Sequence, residues 1–351
     1  MKIGITYDLK SDALDAAFLP PGWNDEAGTL EVPDDLQEEF DSPATIEAIA
    51  AVLRDLGHEV QWMGDGRRML ERVLAEPPEF VFNFAEGHGI GRSREARVPA
   101  VLEMLGIPYT GSDPLTLAVT LDKDCAKRLV KSAGGSVPGG YLVSPDAELS
   151  NLAARHDVGY PAIVKPAWEG SSKGIRSKCL VRGPAELPDA VAAVRRDHRQ
   201  PVLVEEFIQG DELTVGMVGN EPPRIVGIMR VHPTAPSDHF IYSLEVKRDF
   251  RRQVRYECPA LLPNSVLERI SQAALLAWQA LGCRDVSRID FRLRDGVPYF
   301  LEVNPLPGLN PESSDLVILA QLAGWSYPQL IEAILQAALE RTTAAVGLSA
   351  R

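Results

Sequence analysis

Apolar positions recur along the 351-residue chain with two periods, two and about 3.6, and these mark its elements. Residues 3–7 read as a short apolar strand. The acidic stretch from Leu9 to Glu39, broken by Pro and Gly, reads as a long loop or lid. Ser42 then offers an N-cap and Pro43 a first helical position. Ile46, Ile49, Ala50 and Leu53 share one face of the helix so started, and Gly57 ends it. Glu59–Trp62 and Phe80–Phe84 are expected as strands, and Pro99–Leu105 as the core of a helix. Strands alternating with helices predict an open α/β sheet, with ligands beyond the strand ends. The polar run Glu86-Gly-His-Gly-Ile-Gly-Arg-Ser-Arg-Glu95 falls at such an end.

A second unit starts near Gly111-Ser112. Leu121-Asp-Lys123 is placed on a helix, and Gly134-Gly135 closes the next helical segment. Pro161–Pro166 reads as a strand carrying Lys165, followed by Glu169-Gly-Ser-Ser-Lys-Gly174. Two glycines and two hydroxyls in six residues suit either a phosphate-wrapping loop or a tight turn. Val202–Ile208 is a strand running into Gly210, a hinge-like bend whose backbone could pair with a purine edge. Leu213–Val218 and Arg224–Val231 continue as antiparallel strands, and Val231–Tyr256 breaks into a polar loop with Lys247, Arg248, Arg251, Arg252 and Arg255. Such a run is either a solvated face or a catalytic lid with a phosphate-binding cation. Asn264 is expected to cap a helix through Leu281 that buries Val266, Leu267, Ile270, Ala274 and Leu281, with Trp278 in the core; Trp325–Leu339 is a second amphipathic helix.

The most informative stretch is Tyr299–Asp315 with the strand before it, Ser287–Leu293. Asp295-Gly296 between the two apolar runs predicts a hairpin. That hairpin sets Asp290 nearly opposite Glu302, a one-residue bulge deciding the register. Glu302 and Asn304, two apart, share a strand face. Two carboxylates and an amide oxygen converging there suit a hard cation such as Mg²⁺ shared with phosphate oxygens. A solvated hairpin is the plainer alternative, but Phe300, Leu301 and Val303 mark a mostly buried strand, where an unpaired Glu is costly.

Composition narrows the class. Hydrophobic residues make up 45% and charged residues 24%, ordinary for a soluble globular enzyme. The net charge of -13 argues against nucleic acid or an anionic membrane as the main partner. The opening reads as a strand rather than a signal peptide, and no apolar run is long enough to span a bilayer. Cys125, Cys179, Cys258 and Cys283 are scattered without a Cys-x-x-Cys pair, as in a reduced, cytoplasmic protein.

Taken in order, several motifs resemble the ATP-grasp superfamily, and within it the D-alanine–D-alanine ligase family. They are Gly106-Ile-Pro-Tyr-Thr-Gly-Ser112, Leu121-Asp-Lys123, Ile163-Val-Lys-Pro-Ala-Trp-Glu-Gly-Ser-Ser172, Leu203-Val-Glu-Glu-Phe207 with Glu212, Tyr242-Ser-Leu-Glu-Val-Lys247, Arg288-Ile-Asp290 and Glu302-Val-Asn-Pro-Leu-Pro-Gly308. The resemblance implies a three-domain ATP-grasp architecture with α/β and α+β elements: an N-terminal open α/β sheet over 1–111, a central subdomain over 112–208, and a catalytic domain over 209–351 with a mobile loop at about 232–256. It implies ATP and two Mg²⁺ as cofactors, amino acids or carboxylates as substrates, and a homodimer. Lys123, Lys165 and Ser172 would contact phosphates, with Glu205, Glu206 and Ile208 at the adenine and Glu212 at the ribose. Lys247 would reach the γ-phosphate, and Asp290, Glu302 and Asn304 would bind the metal. Arg288, the Gly308 N–H and Ser171 would serve catalysis, and Ser313 would grip a substrate carboxylate.

The amino-terminal part departs from that family. Its usual Glu-bearing stretch, which orients the first amine, is replaced by Tyr7-Asp8 and the acidic loop, so Glu39 or Asp41 is a candidate substitute. Its His-Gly segment is replaced by Glu86-Gly-His88, and the aromatic residue after the lid lysine by Arg248. Glu86, Arg94, Glu95 and Arg248 either pair with one another or meet a substrate more polar than D-alanine, Arg248 by a bidentate contact to a carboxylate. The expected activity is ATP-dependent carboxylate–amine ligation through an acyl phosphate. The alternatives are a ligase of specialised metabolism and a catalytically silent nucleotide-binding regulator.

Overall fold

The computed structural model describes residues 1–12, 33–154 and 157–349, so residues 13–32 of the expected acidic loop lie outside the described part. Its first layer is the predicted parallel sheet. β1 (Lys2–Tyr7), α1 (Pro43–Asp55), β2 (Glu59–Trp62), α2 (Gly66–Ala75) and β3 (Phe80–Phe84) follow in turn, with strand order β2-β1-β3. Ser42 caps α1 as expected, its Oγ accepting from the Thr45 N–H at 3.2 Å, and Ile46, Ile49, Ala50 and Leu53 are buried. α2 was not marked by the sequence pattern, because only Met69 and Val73 of its ten residues are buried. α3 (Arg97–Leu105) closes this layer.

The helix expected through Leu121-Asp-Lys123 is two helices. α4 (Pro114–Leu121) stops at Asp122, whose side chain accepts from the Cys125 N–H at 2.9 Å and caps α5 (Lys123–Ser132). An antiparallel sheet follows, built from β4 (Gly140–Val143), β5 (Ala162–Pro166), β6 (Leu180–Val181) and, after α6 (Leu187–His198), β7 (Val202–Glu206). Its order is β4-β7-β5-β6. Val164, Val202 and Val204 turn toward α6 in one core, so period two points Ile163, Lys165, Leu203 and Glu205 the other way.

Gly210 carries the chain from β7 into the last sheet with φ +141°, and a Cβ there would lie 1.9 Å from the Leu293 carbonyl oxygen, so only glycine fits. That sheet is β10-β9-β8-β11-β12, all antiparallel, with β8 (Asp211–Val218), β9 (Arg224–Pro233), α7 (Leu244–Arg248), α8 (Phe250–Gln253), β10 (Val254–Glu257), α9 (Asn264–Leu281), β11 (Val286–Arg294), β12 (Val297–Asn304), α10 (Asp315–Leu322) and α11 (Tyr327–Ser349). The expected loop after β9 therefore holds two short helices and a strand. Asn264 is the first residue of α9 rather than its cap, which is Pro263. Ile289, Phe291, Leu293, Phe300 and Val303 pack with Ile270, Ala274, Ala277 and Trp278 of α9. This fixes which face of the sheet is left for chemistry. Among the described residues no helix is long and apolar enough to cross a membrane, and all four cysteines are free.

Candidate active site

The free face of the last sheet carries polar residues at alternate positions. Asp290 pairs in register with Glu302, and Arg288 with Asn304, and a register shift falls between Asp290 and Phe291. The predicted hairpin and bulge are both present. Across the other edge of β11, Thr214 donates to Asp290 Oδ1 at 2.9 Å. Arg288 lies along this row, its Nη2 2.9 Å from Asp290 Oδ2 and its Nη1 3.5 Å from Asp315 Oδ2. Lys123 of α5 reaches in from the neighbouring layer, 3.0 Å from Glu302 Oε2. Burial alone would push Glu302 up, but Lys123, Lys165 and Arg288 override it and hold the carboxyl well below its usual range. Asp290 is pushed up by burial and by Glu302, against the pull of Arg288. Two carboxylates and an amide on adjacent strands, already crowded by cations, form an oxygen donor set that fits a hard divalent ion.

Behind this row, between the two antiparallel sheets, runs a crevice lined by Lys165, Ser172, Glu205, Glu206, Phe207, Ile208 and Glu212. Lys165 sits 2.6 Å from Glu205 Oε1, and Lys127 holds the other oxygen. Burial would raise Glu205, yet the two lysines keep it low. Glu212 is paired with Arg292 at 2.8 Å, and that guanidinium also lies 4.4 Å from the Phe207 ring centroid. Lys127 and Arg292 were not singled out from the sequence. Lys127 stands one helical turn from Lys123, and Arg292 continues the alternation Arg288, Asp290, so both periods would have found them.

The loop at Glu169–Gly174 is both a turn and a strained one. Lys173 and Ile175 close it by donating to the Gly170 and Ser172 carbonyls at 2.8 and 2.9 Å, while Ser171 and Ser172 hold φ of 48° and 59°. Non-glycine residues rarely adopt such φ without a reason in the surroundings. Those surroundings are α7 and its approach: Ser172 Oγ donates to the Tyr242 carbonyl at 3.1 Å, and Leu244 N–H to the Ile175 carbonyl at 3.0 Å. Lys247 on α7 points into the cleft, 3.6 Å from Asp315 Oδ2 and 5.1 Å from the Tyr242 ring centroid. Asp315 also accepts from the Tyr242 hydroxyl at 2.9 Å, which makes it a junction of lid, floor and α10 that sequence reasoning missed. Gly308 sits where a Cβ would come within 2.8 Å of Ser314 Oγ. Ser313, beside the start of α10, donates to Asn310 Oδ1 at 3.0 Å.

A cleft of about 240 Å³ opens between these groups and the end of β3. Arg248 lines the cleft and forks onto Glu38 at 2.5 and 2.8 Å and onto Asp34 at 2.8 Å. Arg94 is only 2% exposed and does not line the cleft; its Nη2 lies 2.7 Å from Glu39 and 3.4 Å from Glu169. Both arginines expected at the substrate thus pair within the chain, Arg248 at the wall of the cleft and Arg94 behind it. Glu39 also takes Lys173 at 2.9 Å, which leaves Asp41, Glu86 and Glu95 as the carboxylates of that end that line the cleft without such pairs. Burial pushes Asp41 up to about 7, Lys10 opposing and Asp8 reinforcing. Burial likewise pushes Glu95 up to about 7 against the pull of Arg94, and raises Glu86, with Glu95 and Glu39 adding to it.

A carboxyl raised in the fold binds its proton more tightly there than in the unfolded chain. The stability Glu95 contributes is therefore present below its ordinary value of 4.5 and is lost as pH rises through about 7. The melting temperature of ligand-free Glu95→Gln, relative to the unaltered protein, is expected to climb between roughly pH 5 and pH 8. A difference constant with pH would show that Glu95 ionises freely in the fold.

Comparison with known proteins bears directly on this geometry. The family model described as D-ala D-ala ligase C-terminus matches residues 142–336. The chain belongs to the D-alanine–D-alanine ligase family. It is an ATP-grasp enzyme and an ATP-dependent ligase. The D-alanine–D-alanine ligase of Gluconobacter oxydans is 34% identical over 300 residues, 84% of this chain and 93% of that one. An uncharacterized protein, y4sG, of Sinorhizobium fredii is 33% identical over 304 residues, covering 84% and 87%. The crystal structure of the Bacillus anthracis D-alanine–D-alanine ligase superposes with a TM-score of 0.73 at 23% identity over 98% of this chain and 99% of that one, a likeness of fold.

Proposed function

We propose that this cleft activates an amino-acid carboxylate with ATP and joins it to the amine of a second amino acid, as the names of the D-alanine–D-alanine ligase relatives suggest. The observation that carries the reading is the convergence of Glu302 and Asn304 with Lys123, Lys247, Arg288 and Gly308 on one cleft, with Asp290 opposite Glu302 at its border with the crevice behind. The same reading divides the chain at about residues 111 and 208. It also places the work in the cytoplasm, where ATP is supplied and thiols stay reduced.

A carboxylate is a poor acyl donor because expelling oxide is unfavourable. Its oxygen attacks the γ-phosphorus of ATP, the bond to the β-phosphate oxygen breaks, and ADP leaves. Lys123 and Lys165 from the floor and Lys247 from α7 are set to balance the charge on the phosphoryl oxygens. Mg²⁺, held by Asp290, Glu302 and Asn304, would supply further neutralisation of the phosphates. The second amine then attacks the acyl carbon and loses a proton, and the oxyanion collapses as phosphate departs. Arg288 and the Gly308 N–H would be the donors for that oxyanion, and Ser313 with the start of α10 would receive the acceptor's carboxylate. Glu205, spent on Lys127 and Lys165, would position those lysines, leaving the backbone at Glu206–Ile208 to the adenine. Tyr242, Ser172 and Leu244 lock α7 over the loop and keep water from the acyl phosphate.

The test is ADP release measured with and without Mg²⁺ over a panel of amino-acid pairs, products identified by mass spectrometry. Release that needs both the metal and an amino acid supports the reading. ADP release with no dependence on any amino acid overturns it.

A further inference from the structure

The end of the cleft beside β3 holds more carboxyl groups than cations to pair with them. Arg94 and Lys173, two cations, stand among four carboxylates, Glu39, Glu169, Glu86 and Glu95. Both cations are taken directly by Glu39 and Glu169, and Arg94 spends its Nη1 on the Trp168 carbonyl. Glu86 and Glu95 are left with no hydrogen bond or ion pair to any described residue, although Glu95 is only 7% exposed, and both line the cleft. Other cations nearby are engaged: Lys123 with Glu302, Arg288 with Asp290 and Asp315, Arg248 with Asp34 and Glu38. Lys10 lies in the field of Asp41. A buried carboxylate with no partner, as Glu95 would be when ionised, is costly, and the half-buried Glu86 beside it adds repulsion. Such a pair either keeps its protons, as the upward push on both carboxyls shows, or ionises when a cationic ligand arrives to share the charge.

The chemistry says which substrate meets these groups. The attacking amine must give up its proton to expose a lone pair, and a pair of carboxylates around it would hold that proton. The acyl donor's own amine, by contrast, must be kept from attacking, and an ammonium between carboxylates is so kept. Resting on the ligase reading above, we propose that the acyl donor is a diamino acid of the ornithine or lysine type, its two ammonium groups divided between Glu86 and Glu95. Its carboxylate then faces Arg288 and Gly308 across the same cleft, and the acceptor enters from the side of Ser313. The substrate is more polar than alanine, but the groups that read it are carboxylates and not Arg248.

The experiment is kcat/KM for ADP release by the full-length protein with saturating ATP and Mg²⁺. Alanine, glutamate, 2,4-diaminobutyrate, ornithine and lysine, in both D and L forms, are tried in every pairing, and the N-terminal residue of each product is read by mass spectrometry. A diamino acid at the N-terminal position is expected to exceed alanine by on the order of tenfold or more. Glu95→Gln is expected to cut that ratio about tenfold, chiefly through KM. If the variant is poorly folded by melting, Glu86→Gln and the unaltered protein's own preference carry the test. Preference for alanine or glutamate as acyl donor overturns the diamino-acid proposal and leaves the ligase reading standing, since ADP release still needs an amino acid. No ADP release with any pair overturns both.

Discussion

Glu302→Gln is expected to lose Mg²⁺-dependent turnover by on the order of 10³-fold while the protein still folds. Glu302 lies opposite Asp290 across β12 and β11, and its carboxylate is held ionised by Lys123, Lys165 and Arg288. The amide keeps the volume and one oxygen acceptor, so packing survives while the negative charge needed for a divalent ion is lost. Alanine is the harsher change, because it leaves Lys123 and Arg288 buried beside an empty position, and removing one partner of a buried pair is strongly destabilising. The loss of activity should therefore be read in the Gln variant, with its melting curve alongside. Retention of normal turnover in Glu302→Gln would mean that the metal is held elsewhere or is not needed.

Lys247→Ala is expected to slow phosphoryl transfer by on the order of 10²-fold or more, with little effect on melting. In the ligand-free fold Lys247 makes only a 3.6 Å approach to Asp315 and a cation–π contact with Tyr242, and α7 is held down by Ser172 and Leu244 instead. Its charge also helps keep Glu302 and Asp290 ionised, so the melting curve of the variant is read beside its rate. A single-turnover measurement separates the step from ADP release. An unchanged rate would reduce the lid lysine to part of a charged surface.

Local chemistry made much of this site legible in advance. The Asp295-Gly296 turn and the alternation on both sides of it predict the hairpin, and with it the apposition of Asp290 and Glu302. Ser42-Pro43 predicts the start of α1, and the apolar runs at Glu59–Trp62 and Phe80–Phe84 coincide with β2 and β3. Each rests on residues adjacent in sequence, where period and turn geometry act. α2 escaped notice because it buries only two side chains. The break at Asp122 was missed although Asp is a good N-cap, since the apolar run before it continues to Leu121.

What the sequence by itself determined is the chemistry of the floor: which carboxylates, amides and lysines are present, and which alternate onto one strand face. Partner choice was settled only in three dimensions. Arg248 meets Asp34 and Glu38, more than two hundred residues away, and Arg94 meets Glu39 and Glu169. Charge pairing is non-directional over several ångströms and indifferent to sequence separation, so no spacing rule could choose between a substrate carboxylate and Asp34 as the mate of Arg248. Once the fold has assigned those pairs, Glu86 and Glu95 stand out among the carboxylates left over as the groups proposed to receive a cationic substrate.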